Sequence, residues 1–168
     1  MNIKIKRLSP ELLEDYLLFF DTTPHNINKD EDRCYCVGWC NADYENQDFS
    51  TAEKRRDMAT SYVNGNNLQG YLAYCDNKVV GWCNANTKSE CYKCQYGRMY
   101  MSCTDKEESS PNIKVKSVFC FAVSPEMRRN GVAELLLKSV CEDAAQDGFD
   151  FVEAYPNKEF INTQADCM

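Results

Sequence analysis

The sequence carries one histidine, His25, in 168 residues, which leaves no histidine pair for a zinc site. No run approaches the roughly 20 apolar residues that a membrane-spanning helix needs. Residues 1–8 alternate polar and apolar side chains rather than joining a basic segment to an apolar one, so neither an anchor nor a secretory signal is expected. The expected location is therefore cytoplasmic. A basic stripe is also missing: 19 Lys and Arg lie scattered among 26 Asp and Glu, for a net charge of −7. An acidic chain repels phosphate backbones, so nucleic acid is not the expected partner and a cationic small molecule is.

Cysteine, in contrast, is abundant, with 11 residues. The number is odd, the chain is long enough to build a core without staples, and no export signal is seen, so reduced thiols buried like small apolar residues are expected over a disulfide framework. Two clusters stand apart, Cys34-x-Cys36-x-x-x-Cys40 and Cys91-x-x-Cys94 with Cys103 nearby. Cysteine-x-x-cysteine is metal-ligand spacing, but a zinc site wants two such pairs or histidines, and His25 lies well away. No metal is expected, although a cysteine-rich metal-binding or interaction module stays open as an alternative.

A single domain over residues 1–168 is expected, of mixed α/β class. Residues 2–8 alternate as a strand through Ile3 and Ile5. Ser9 can cap a helix, Pro10 suits its first turn, and Leu12, Leu13, Tyr16, Leu17 and Phe20 recur at helical spacing. Residues 21–50 lapse into an insertion-like loop that could hold a short strand over residues 33–41. Ser50 or Thr51 followed by Glu53 opens a second helix, closed by Asn64 and Gly65. Residues 68–75 and 78–85 read as a hairpin joined by Asp76 and Asn77. Residues 88–112 form a second insertion. A strand over 113–123, a turn, a helix over 132–146 with Leu135, Leu136, Val140 and Ala144 on one face, and a strand over 149–155 follow.

One hexapeptide occurs twice: Val37-Gly38-Trp39-Cys40-Asn41-Ala42 and Val80-Gly81-Trp82-Cys83-Asn84-Ala85. The flanks do not match, so it is not a solenoid repeat. Two readings stand: chance with a shared liking for half-buried strand positions, or two segments that line one aromatic cleft.

The stretch with most chemistry is residues 117–133. An apolar strand ends at Val123-Ser124-Pro125, and a tight turn through Arg128, Arg129, Asn130 and Gly131 leads directly into a helix at Val132 and Ala133. A helix start after a turn presents unpaired N–H groups that bind phosphate. Gly131 allows close approach of the backbone, and Arg128 and Arg129 add positive charge in an acidic chain. An elongated anion with a pyrophosphate fits these requirements. A plain strand-to-helix connection with a surface arginine pair is the bland alternative.

Arg128-x-x-Gly131-x-Ala133, after Val123-x-Pro125 and before Leu135-Leu136-Leu137, resembles the acetyl-CoA signature of the GNAT superfamily of N-acetyltransferases. The resemblance covers residues 2 to about 157 and implies an acyl-CoA N-acyltransferase fold in which the fourth strand splays from the fifth. It implies that Phe121, Ala122 and Val123 meet the pantetheine, that Arg128, Arg129, Asn130, Gly131, Val132 and Ala133 cradle the pyrophosphate, and that Asn157 touches the cofactor. It also implies an acetyl-CoA-dependent N-acetyltransferase that acts by direct attack of a primary amine of a small, cationic acceptor, with no covalent enzyme intermediate. Glu153 on the last strand is the candidate base, its pKa raised by burial, or else an edge-facing carboxylate; Tyr155 lies at the mouth of the same gap. Asp30, Glu31, Asp32 and Asp43 fall where the family builds acceptor specificity. The usual closing helix and strands find no counterpart in residues 156–168, so the fold is expected to be short at its C-terminus. A catalytically incomplete CoA-binding relative is the corresponding alternative. An uncovered edge at Phe149, Phe151 and Val152 implies that the chain forms a homodimer, borrows a segment or aggregates.

Overall fold

A computed structural model describes residues 2–23, 33–40, 42–43, 45–92, 94 and 112–155. Its strands are β1 (Ile3–Arg7), β2 (Gly70–Cys75), β3 (Lys78–Thr87), β4 (Val115–Val123) and β5 (Phe151–Ala154), and its helices are α1 (Leu13–Thr22), α2 (Ala52–Asn64) and α3 (Val132–Gln146). The five strands form one sheet in chain order. β1 to β4 are antiparallel neighbours, and β5 joins β4 in parallel after the α3 crossover. This is the mixed sheet with flanking helices that the sequence pattern led us to expect. None of the described helices is long and apolar enough to cross a membrane.

Local chemistry explains the element boundaries. Asp76 and Asn77 both take positive φ, 49° and 64°, as a two-residue turn between right-twisted strands demands. Thr51 caps α2 by accepting from the Lys54 N–H at 3.2 Å. Ser9 is extended at the expected start of the first helix, but its side chain makes no capping bond; a single 3₁₀ turn, Pro10–Leu12, precedes α1 instead. α1 also runs to Thr22, one residue past the point where the sequence pattern lapses at Asp21.

The short strand expected over residues 33–41 is not present among the described residues 33–40, and Asn41 lies outside them. Residues 35–40 form consecutive turns, with Tyr35 and Cys36 at φ 46° and 52°. The Val37 N–H donates to the Cys34 carbonyl and the Trp39 N–H to the Cys36 carbonyl. The alternation of Tyr35, Val37 and Trp39 imitates a strand, but all six residues are buried, so no solvent face exists for the pattern to report.

Two apolar layers cover the sheet. On one face α1 and α2 pack Tyr16, Phe20, Tyr62 and Val63 against Leu72 and Trp82. Tyr16 meets Trp82 edge-on, with ring centroids 4.9 Å apart, and its hydroxyl donates to the Tyr35 carbonyl. On the other face α3 lays Val132, Leu136 and Val140 over Tyr71, Val80, Cys83 and Val118. α3 packs tightly on the sheet at Gly81, where an added Cβ would lie 2.8 Å from Val132 Cγ1. Arg7 ties β1 to α3 through Asp143 at 2.8 Å and Asp147 at 2.9 Å.

Candidate functional site

β4 is nine residues long, but only Val115–Val118 pairs with β5. From Phe119 to Val123 its outer edge therefore has no strand partner among the described residues, and a gap opens between β4 and the end of β5. The register on the inner side shifts at the same place: Asn84 faces Cys120, whereas Ala85 faces Val118, so Phe119 is the extra residue of a β-bulge. The bulge turns both Phe119 and Cys120 toward the core layer of α1 and α2. The sequence pattern had no means of showing it, because one extra residue leaves an apolar run apolar.

The strand then delivers the chain to a turn of 3₁₀ geometry at Pro125–Met127. Arg129 and Gly131 follow at φ 64° and 77°, and Gly131 is the residue before the first turn of α3. No side chain caps this helix start. An added Cβ on Gly131 would meet nothing within 4 Å, so the main chain here borders open space. Arg128 Nε donates back to the Val123 carbonyl at 3.3 Å, and the Asn130 side-chain amide donates to the Arg128 carbonyl at 3.0 Å. Arg128, Arg129, Asn130, Gly131 and Ala133 are exposed, and Val132 is buried beneath them. Such a start suits a pyrophosphate, since its N–H groups and its dipole both favour negative charge. Of the residues expected along the pantetheine, Phe121 is exposed, Val123 is half-buried and Ala122 is buried against the Trp82 layer. Ala122 can therefore offer only its main chain. Asn157, Asp30, Glu31 and Asp32 lie outside the described residues; Asp43 is exposed, and its carboxylate accepts from the Glu45 N–H.

Glu153 sits on the α1/α2 face beside Ser117, its partner across β4 and β5. It receives the Ser117 hydroxyl at 2.5 Å, the Tyr155 hydroxyl, and the Lys88 ammonium at 2.9 Å. Burial pushes the Glu153 carboxyl up, as the sequence led us to expect, but these donors and the charge of Lys88 outweigh it. The net shift is downward, which corrects the expectation of a raised value. Tyr155 moves the opposite way, up, through burial and its bond to the Glu153 anion. Lys88 is 2% exposed. No sequence argument had singled it out, although Asn84-x-Asn86-x-Lys88 places three polar side chains at strand spacing beyond Trp82, and that period was the available signal.

Tyr155 also stacks on Phe119, ring planes 4° apart and centroids 5.8 Å apart, and Phe119 stacks on Trp39 at 9° and 4.6 Å. The two copies of the hexapeptide differ in structure, Val37 to Cys40 of the first forming a turn and the second a strand, yet Asn84 of the second donates to the Trp39 carbonyl of the first at 2.7 Å. Trp39 belongs to the aromatic wall beside the gap, whereas Trp82 lies wholly in the core.

The described cysteines are free thiols. Cys36, Cys40, Cys83, Cys91 and Cys94 are buried, and burial pushes Cys40 up to about 12. Among the described residues no group of three or more His, Cys, Asp or Glu is arranged to hold a metal; His25 and Cys103 lie outside them.

A family model described as the acetyltransferase (GNAT) family matches residues 12–163. No curated protein matches the chain. Solved structures do. Aminoglycoside acetyltransferase meta-AAC0020 from an uncultured soil metagenomic sample, in complex with sisomicin, has a TM-score of 0.54 at 17% identity, over 93% of this chain and 78% of that one. AAC(6')-Iy in complex with the bisubstrate analog CoA-S-monomethyl-acetylneamine has a TM-score of 0.57 at 15% identity, over 98% and 86%. Ribosomal-protein-alanine N-acetyltransferase from Brucella melitensis biovar Abortus 2308 has a TM-score of 0.55 at 10% identity, over 94% and 82%. At these identities the likeness is one of fold.

Proposed function

The chain belongs to the acetyltransferase (GNAT) family, and on that premise we propose that it transfers the acetyl group of acetyl-CoA to a primary amine of a small, cationic acceptor. The observation that carries this reading is the continuation of β4 past the end of β5 into a left-handed turn and an uncapped helix start. Bound acetyl-CoA would supply a thioester carbonyl open to direct attack. The free edge of Phe121, Ala122 and Val123 offers main-chain partners for a pantetheine amide chain, and Arg128 to Ala133 offer N–H groups and two cations for the pyrophosphate. The open space beside Gly131 is the fit that supports this.

Glu153 and Tyr155 are read as the polar pair at the reacting end. With its pKa lowered, Glu153 is an anion at neutral pH, and its role is that of a positioning residue that holds the Tyr155 hydroxyl and attracts an ammonium. Tyr155 keeps its proton and, stacked on Phe119, borders the gap. The net charge of −7 and the aromatic wall of Trp39, Phe119 and Tyr155 both favour a cationic acceptor. Several of the neighbours in fold are named as aminoglycoside acetyltransferases, which makes polyamines and aminoglycosides the first acceptors to try.

Titration calorimetry with CoA on the native chain and on an Arg128→Ala, Gly131→Glu variant tests the cofactor site. Binding by the native chain and its loss in the variant is the expected result; equal or absent binding in both would sink the reading. One observation favours a second reading, of a CoA-binding relative without turnover: Glu153 already accepts three donors and the Tyr155 hydroxyl is already engaged. Thiol release from acetyl-CoA across a panel of polyamines, aminoglycosides and peptides separates the two, because turnover with any acceptor excludes the second.

A further inference from the structure

The face of the sheet under α3 holds a cavity of about 310 Å³ near the start of β4, whereas the turn through Gly131 follows the end of that strand. Arg7, Gln69, Thr87, Lys116, Asp147 and Phe149 are among its lining residues. Lys116 is 7% exposed, and its ammonium lies 4.5 Å from the centroid of the Phe149 ring. No described carboxylate comes within ion-pair distance of it. Arg7 on the same wall is already held by Asp143 and Asp147 at 2.8 and 2.9 Å, so Asp147 is committed elsewhere. Burial and the nearby Arg7 charge push the Lys116 pKa down, against weaker upward pulls from Asp147, Glu90 and Cys91. A ring face alone is a poor substitute for a counter-charge at a buried ammonium.

The rest of the wall supplies what a small anion needs. Gln69 brings an amide and Thr87 a hydroxyl, and the volume lies at the low end of small-molecule sites. We infer that this cavity binds a small organic carboxylate, with Lys116 as its counter-ion, at a site separate from the acetyl-transfer gap. Asp143 and Asp147 are held by Arg7, which leaves the single charge of Lys116 to be met, so a monocarboxylate fits better than a polyanion. This inference does not depend on the acetyl-transfer reading.

Two-dimensional amide NMR of the full chain, titrated with acetate and with inorganic phosphate against sodium chloride at equal ionic strength, tests it. Acetate is expected to give saturable shifts at the lining residues. Lys116→Met should keep the fold, since it removes only a buried charge, and should weaken acetate by about tenfold or more. Lys116→Arg, which keeps the charge, should retain binding and guards against a Met variant that fails to fold. The proposal is overturned by shifts no larger than with chloride, by equal acetate affinity in Lys116→Met, or by phosphate that binds as tightly as acetate.

Discussion

The side-chain amide of Asn84 donates to the main-chain carbonyl of Trp39 over 2.7 Å, and its nitrogen also lies 3.4 Å from Cys36 Sγ. Its oxygen accepts from the Asn86 amide at 3.1 Å, and Asn84 itself is fully buried. One β3 residue thereby holds the turn that carries Trp39 against Phe119, next to the gap between β4 and β5. Asn84→Ala removes the Asn84 donor from the Trp39 carbonyl and is expected to destabilise the chain by about 2 kcal/mol. Urea unfolding followed by tryptophan fluorescence measures this. A loss below about 0.5 kcal/mol, the range of ordinary surface changes, would mean that the turn stands without Asn84.

Glu153 and Lys88 form a pair whose breakage should cost more than its removal. Glu153→Gln removes one carboxylate from the buried Lys88 ammonium and is expected to cost about 3 kcal/mol, whereas Lys88→Met with Glu153→Gln together should recover part of that loss. A double variant as unstable as the sum of the singles would contradict the coupling.

The same carboxyl sets a pH dependence. Its folded pKa lies below the ordinary value of 4.5, so the folded state binds fewer protons than the unfolded one wherever they differ. Its contribution to stability is then fully present above that ordinary value and lost as the pH falls through the folded value. Thermal midpoints from pH 7 down to pH 3 should fall less steeply for Glu153→Gln than for the native chain. Parallel curves would show that Glu153 is not the group responsible.

Gly131→Ala places a Cβ at φ 77° without a clash, so its effect isolates the backbone strain. The expected loss is about 1 kcal/mol, with CoA bound more weakly because the turn relaxes away from the left-handed region. Gly81→Ala is the steric counterpart, since its Cβ would meet Val132 Cγ1 at 2.8 Å. It should cost about 2 kcal/mol, and a Val132→Ala partner change should restore part of it. Chemical denaturation of the single and double variants reads both effects; a Gly81→Ala chain of native stability would place the contact elsewhere.

Among the described residues β5 is one edge of the sheet, with Phe151 52% and Val152 36% exposed. Apolar side chains on an edge strand invite pairing with a second chain. Association that increases with concentration, measured by light scattering and reduced in Phe151→Lys, is expected. A monomer at every concentration, in both proteins, would remove this edge as an interface.

Most of the element order and the left-handed turn before α3 were legible in the sequence because each rests on neighbours along the chain. Asp76-Asn77 demands a tight turn, Leu136, Val140 and Ala144 repeat at helical spacing, and Gly131 stands where only a residue tolerant of positive φ fits. The abundance of cysteine and the lone histidine likewise needed only counting. The tertiary structure decided what depends on partners far away in sequence. It made Val37 to Cys40 of one Val-Gly-Trp-Cys-Asn-Ala copy a turn and the other copy a strand, because packing rather than local pattern chooses between them when residues such as these are buried. It placed the bulge at Phe119, where register against β3 is set across the sheet. It also reversed the expected shift at Glu153, since a carboxylate's pKa follows its donors, and Lys88 and Ser117 reach it only once β3, β4 and β5 are assembled.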